Sequence, residues 1–183
     1  VGGGDGGTAR EVLKYSKVKC LDVVEIDEII VKATREYMPF LSDSFSDGRL
    51  NLIIEDGLKY VNKLKDKYYD LIFIDGPHPS GDQNGLYSVD FFNKCRESLT
   101  NNGFLIVQGE SPMFNDKLFC QIDNNLKKAF IPERKYTLLF NVPTYPSGIW
   151  SFQVAAISDI DPRDVDKDQV RQFVSTNKCR YYN

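Results

Sequence analysis

The sequence predicts a doubly wound α/β fold, with a mostly parallel sheet and an antiparallel C-terminal edge strand. Short apolar runs, amphipathic stretches between them and a glycine-rich turn at the head of the first helix carry that expectation. "CLDVVEID" (20–27), "LNLIIED" (50–56), "YDLIFID" (69–75) and "GFLIVQGE" (103–110) are near-continuous apolar runs ending in acidic or polar residues. Runs of this kind are what parallel strands covered on both faces require. Helical periodicity fills the gaps at 8–16, 27–38, 57–65, 88–99 and 115–129, and Pro132 stops the last of these. "YTLLFNV" (136–142) and "IWSFQVAAIS" (149–158) then form a strand pair joined by "PTYPSG", in which alternation places Trp150 and Phe152 in the core. Residues 1–158 are expected to form one domain, and 159–183 a charged tail with a short helix near 166–175. Tyr181 and Tyr182 are expected to pack that tail onto the domain, or to meet a second subunit.

Composition narrows the class. A chain of 183 residues supports one domain with a substantial core. The net charge of −3 argues against a nucleic-acid footprint. No apolar run is long enough to span a bilayer, so a membrane partner is not expected. Cys20, Cys95, Cys120 and Cys179 are scattered without CxxC spacing, which suggests reduced, mostly buried thiols and a cytoplasmic protein. His78 is the single histidine, so neither zinc nor any other metal site is expected. The chain opens at Val1, directly before the Gly-rich turn and without an initiator Met, as if a first strand lay upstream.

In open α/β sheets, ligands bind beyond the carboxyl ends of the strands. That edge carries Asp5 in the first turn, then Glu25, Asp56, Asp75 and Glu110. Any one of them fits a helix N-cap or a turn; five in succession along one edge describe a pocket. Glu25 lies roughly 20 residues beyond the turn, where nucleotide-binding folds hold ribose hydroxyls. Asp56 is placed either to accept from an adenine amino group or to cap helix 57–65, and the two roles are compatible. Gly3 and Gly6 let backbone approach a nucleoside closely. Asp5 and Asp75 would repel a pyrophosphate. A cationic nucleoside without phosphate suits such a pocket better, and a sulfonium nucleoside meets that description. The fold expected is therefore class I methyltransferase-like, Rossmann-like in outline, rather than dinucleotide-binding.

"GGGDGGTARE", "EID" (25–27), "EDG" (55–57), "YDLIFID" leading to Pro79 and Gly81, "QGES" (108–111) and "PTYPSG" (143–148) together resemble the spermidine synthase family of polyamine aminopropyltransferases. The resemblance runs over nearly the whole chain. It implies transfer of an aminopropyl group from decarboxylated S-adenosylmethionine to an amine, commonly putrescine, with release of methylthioadenosine. Decarboxylated S-adenosylmethionine is then a co-substrate, and no prosthetic group or metal is implied. By position, Asp5 would hold the donor's terminal ammonium, Glu25 its ribose and Asp56 its adenine, with Gly3, Gly6 and Gly57 shaping that wall. Asp75 matches the general base, and Tyr145 a tyrosine that positions acceptor and base. Gln108 and Glu110 would line the acceptor side or serve as structural hydrogen-bonding residues.

The catalytic loop departs from the family pattern. Its second Asp is replaced by His78, and the Pro after Gly81 by Asp82. An imidazole carries no negative charge in either state. Three readings stay open: a surface residue, an altered acceptor site, or Asp82 supplying the displaced carboxylate. Family members also carry an N-terminal β-strand domain that is absent here, so the chain is expected to bind donor but turn over poorly. The resemblance implies a homodimer or higher homo-oligomer acting on a small-molecule amine. A small-molecule methyltransferase and a catalytically weak regulatory paralogue are the alternative functions.

Overall fold

In the computed structural model, residues 1–76, 85–177 and 179 are described. The Gly-rich turn leads into α1 (Gly7–Leu13), followed by β1 (Leu21–Glu25), α2 (Glu28–Tyr37), a short α3 (Pro39–Ser42) with one 3-10 turn (Asp43–Ser46), and β2 (Leu50–Ile54). Next come α4 (Gly57–Asn62), β3 (Tyr69–Ile74), α5 (Val89–Ser98), β4 (Leu99–Gln108) and α6 (Asp116–Ala129). β5 (Lys135–Asn141), β6 (Ile149–Ala156) and α7 (Lys167–Thr176) close the chain. Helix starts follow local chemistry. The side chains of Asp27, Asp56, Ser88 and Asp166 each accept from a backbone N–H in the first turn of the helix they precede.

β1 and β2 form one parallel pair, and β3-β4-β6-β5 form a second sheet. Val1 and Gly2 join the two. The Val1 nitrogen donates to the Phe73 carbonyl at 2.7 Å, and the Asp75 N–H donates to the Val1 carbonyl at 2.9 Å. On the other side, the Gly2 N–H donates to the Val24 carbonyl at 2.9 Å. This two-residue stub therefore runs between β1 and β3, parallel to β3 at Gly2 and Asp75. Gly2 has to be glycine there, because a Cβ would collide with the Asp75 carbonyl.

The closing strand pair is antiparallel, as expected at the C-terminal edge. β6 runs antiparallel to both β4 and β5, so β5 is the edge strand. The connection after β5 folds β6 back against β4, and β5 takes the outside as the second arm of the hairpin. The core lies between the sheet and α5 and α6, built from Ile72, Ile74, Phe92, Cys95, Leu105, Val107, Ile122 and Leu126. Trp150 is buried, as expected, but Phe152 is 38% exposed. Its face of the outer strands is left partly open, and it stacks on Phe140 at 4.6 Å instead of entering the core. The thiols also differ from expectation: all four are free, but Cys20 and Cys120 are exposed and only Cys95 is fully buried. Burial pushes the Cys95 thiol up to about 12, so it behaves as a small core residue. The tail returns to the domain through Phe173, which stacks on Tyr15 at 4.2 Å. Tyr181 and Tyr182 lie outside the described residues.

Candidate active site

Three glycines with positive φ make the turn that opens the site: Gly2 at 80°, Gly3 at 85° and Gly6 at 77°. L-residues pay a steric penalty in that region, so the turn depends on glycine. Gly6 is pressed from behind, with the Leu41 carbonyl 2.8 Å from where its Cβ would stand and Ser44 Oγ donating to its own carbonyl at 3.1 Å. The α3 segment is thus a buttress for the turn. Asp5 projects from the turn as an exposed side chain, and its Oδ1 accepts from the Gly7 N–H at 2.9 Å.

Glu25 sits beneath the turn at the end of β1, 8% exposed. Its Oε2 accepts from the Gly4 N–H at 3.1 Å and its Oε1 from the Asp27 N–H at 2.9 Å. The residue assigned to a ribose is therefore also a structural anchor for the Gly-rich turn. Each carboxylate oxygen has a second lone pair for a further donor. Asp56 follows β2 and caps α4, accepting from the Leu58 N–H at 2.8 Å. Gly57 behind it is buried, and a Cβ there would collide with the Val1 side chain. Asp75 follows β3 with an exposed side chain, and its Oδ2 accepts from Thr8 Oγ1 at 2.8 Å.

The wall beyond β4 is more enclosed. Gln108 turns back locally, its Oε1 accepting from the Glu110 N–H at 2.9 Å. Glu110 is fully buried with φ 68°, and its carbonyl accepts from Ser151 Oγ at 2.7 Å. The Gln108 side chain and the Glu110 backbone thus hold this strand end together. Tyr87 lies behind Asp75 and Glu110. Burial first, and then these two negative charges, push its phenol upward, so it stays protonated and donates to the Gly76 carbonyl at 3.3 Å. Tyr145 is 47% exposed and packs edge-on against Trp150 at 4.7 Å. Its loop is tied to the β4 end by Ser111 and Ser147, whose hydroxyl oxygens are 2.8 Å apart. Neither serine, nor Thr8, was singled out by the sequence pattern. His78 and Asp82 lie outside the described residues.

Asp5, Glu25, Asp56 and Asp75 thus meet at the carboxyl edge of the strands, and none forms an ion pair among the described residues. Four uncompensated carboxylates around a glycine turn suit a ligand that brings its own positive charge. Among the described residues, no cluster of three or more His, Cys, Asp or Glu is placed to hold a metal ion, and no helix is long and apolar enough to cross a membrane.

Comparison with known proteins agrees with this geometry. Residues 1–163 match the spermine/spermidine synthase domain. A polyamine aminopropyltransferase of Methanocaldococcus jannaschii is 40% identical over 184 residues, covering 100% of this chain and 61% of that protein. One from Clostridioides difficile is 38% identical over 185 residues, covering 100% of this chain and 64% of the relative. The chain therefore spans about three fifths of the length of these relatives. A crystal structure of a spermidine synthase in complex with the transition state analogue AdoDATO superposes with a TM-score of 0.91 at 33% identity, over 100% of this chain and 61% of that one. The spermidine synthase of Thermotoga maritima gives a TM-score of 0.89 at 33% identity, over 100% of this chain and 60% of that one. With its Gly-rich turn, its acidic strand ends and its whole length matched, the chain belongs to the spermine/spermidine synthase family.

Proposed function

We propose that the protein moves the aminopropyl group of decarboxylated S-adenosylmethionine to an amine, putrescine in the first instance, giving spermidine and methylthioadenosine. One observation carries the reading: the four carboxylates of the site have no cationic partner among the described residues. In this reading Asp5 holds the terminal ammonium of the donor, Glu25 the ribose and Asp56 the adenine amino group. Asp5 would repel the carboxylate that S-adenosylmethionine retains, which favours the decarboxylated donor. The amine lone pair attacks the carbon beside the sulfonium, the C–S bond breaks, and its electrons leave neutral sulfur in methylthioadenosine. The proton lost from the amine goes to Asp75. The leaving group is already activated, so no acid is needed, and the protein's work is alignment and deprotonation. In this reading Tyr145 supports the acceptor, and His78 and Asp82 are further candidates for contact with it.

The wider reading is a cytoplasmic homodimer in which residues 1–158 form the catalytic unit and 159–183 a packed tail. Unpaired thiols support the compartment and the Phe173–Tyr15 stack the packed tail, while the homodimer rests on the family resemblance. The test is an amine panel on the intact protein, with products read by mass spectrometry and donor affinity by calorimetry. Spermidine formation that Asp75→Asn lowers at least about 100-fold supports the proposal. Tighter binding of S-adenosylmethionine than of its decarboxylated form refutes it and points to methyl transfer.

A further inference from the structure

We infer that Thr8 is a positioning residue for the reaction, holding the Asp75 carboxylate in the orientation that receives the proton. The inference rests on the assignment of Asp75 as base and adds the group that aims it. Thr8 is the second residue of α1, a place where threonine hydroxyls usually bond to nearby backbone. Here the hydroxyl reaches instead to a side chain 67 residues away, donating from Oγ1 to Asp75 Oδ2 at 2.8 Å. The N-cap residue Gly6 offers no side-chain bond, and Asp5 Oδ1 accepts from just one first-turn N–H, that of Gly7. The Thr8–Asp75 contact is also the sole hydrogen bond of the Asp75 carboxylate among the described residues.

The chemistry explains why one bond of this kind matters. An exposed aspartate rotates freely about its side-chain torsions, and a base must present one oxygen to the attacking nitrogen within about 2.6–3.2 Å. Fixing Oδ2 on Thr8 leaves Oδ1 free for an N–H of the attacking neutral amine of the acceptor. As the new C–N bond forms and the C–S bond breaks, the N–H proton passes to Oδ1, while Oδ2 stays on the hydroxyl. Threonine suits the task better than serine, since its β-branch restricts χ1 and holds Oγ1 in place. Thr8 also stands on the helix that follows Asp5, so the Gly-rich turn and the partner of the base are joined in one stretch of chain.

The test compares Thr8→Val, Thr8→Ser, Asp75→Asn and the Thr8→Val/Asp75→Asn double variant in the intact protein. Turnover with putrescine, donor affinity by calorimetry and melting temperature are measured for each. Thr8→Val keeps the shape and removes the donor. It is expected to lower kcat about ten-fold, the value of one hydrogen bond to a charged group, with donor Kd within about two-fold of wild type. Thr8→Ser should recover most of kcat. In the Asp75→Asn background, Thr8→Val should cost little more, because the two act as a unit. Unchanged kcat in Thr8→Val, or a full additive loss in the double variant, overturns the role of Thr8 while Asp75 stands. Equal damage from Thr8→Ser and Thr8→Val overturns it as well. A near-normal Asp75→Asn enzyme overturns the base assignment itself.

Discussion

Gly4→Ala tests whether Glu25 is an anchor of the turn as well as a candidate ribose ligand. A Cβ at Gly4 would lie 2.6 Å from Glu25 Cγ and 2.8 Å from its Oε2. Glu25 has nowhere to go at no cost: it is 8% exposed and holds the Gly4 and Asp27 N–H groups on its two oxygens. Moving aside breaks the bond to Gly4, a charge-assisted bond worth about 1.5–3 kcal/mol. Replacing glycine stiffens the unfolded chain and returns about 0.4–1 kcal/mol. The net loss is about 0.5–2.6 kcal/mol, or roughly 1–10 °C in melting temperature at about 2–4 °C per kcal/mol for a domain of this size. Calorimetric melts of wild type, Gly4→Ala, Glu25→Asp and the double variant measure it. The shorter aspartate clears the space, so the two changes should be strongly non-additive. Additive losses would refute the packing argument. Gly48→Ala is the control, since no atom lies within 4 Å of its Cβ position.

The remaining predictions concern the frame of the site. Lys135, with a side chain 5% exposed, donates to the Asp123 carboxylate and, at 2.5 Å, to Gln153 Oε1. Asp123→Ala leaves that ammonium short of its counter-charge and should cost about 3 kcal/mol at pH 7, the low end for a buried pair because oxygen acceptors remain. Burial raises the Asp123 carboxyl, but hydrogen bonds from Lys127 and Lys135 outweigh it and hold it below the usual value. Its contribution is therefore complete above the unfolded value of about 3.9 and is lost as pH falls through the folded value. The melting gap between Asp123→Ala and wild type should narrow below about pH 4, and a pH-independent gap would count against the ion pair. Leu126→Ala, at a fully buried position of α6, should cost about 2–5 kcal/mol in urea unfolding. Donor affinity at low temperature should stay within about two-fold, because α6 does not touch the turn.

Much of this arrangement was legible because it is local. Apolar runs ending in Glu25, Asp56 and Asp75 placed the carboxylates on one sheet edge, and parallel strands left no alternative. The start of α4 was equally readable, since Asp56 caps the helix two residues ahead of its acceptor bond. Thr8 was not readable: its partner lies across the sheet, and nothing in "GGTARE" distinguishes a threonine that caps from one that reaches out. The buttress at 39–46 did leave a signal, because a proline that ends one helix also suits the first turn of the next. Phe152 was misplaced for a tertiary reason, as strand alternation tells which residues share a face but not whether that face is covered. Which of β5 and β6 meets β4 was not readable, because hairpin connectivity does not say which arm joins the sheet.

The stub formed by Val1 and Gly2 has a consequence for substrate choice. Its backbone ties the carboxyl end of β1 to that of β3, and one residue later the same chain enters the Gly-rich turn. In the proposed reaction, the span from the Asp5 turn to Asp75 is therefore set by main chain, like a fixed gauge. Under the proposed function, a change in the length or charge of the amine accepted is expected to come from side chains outside this frame, such as Tyr145, rather than from the frame itself.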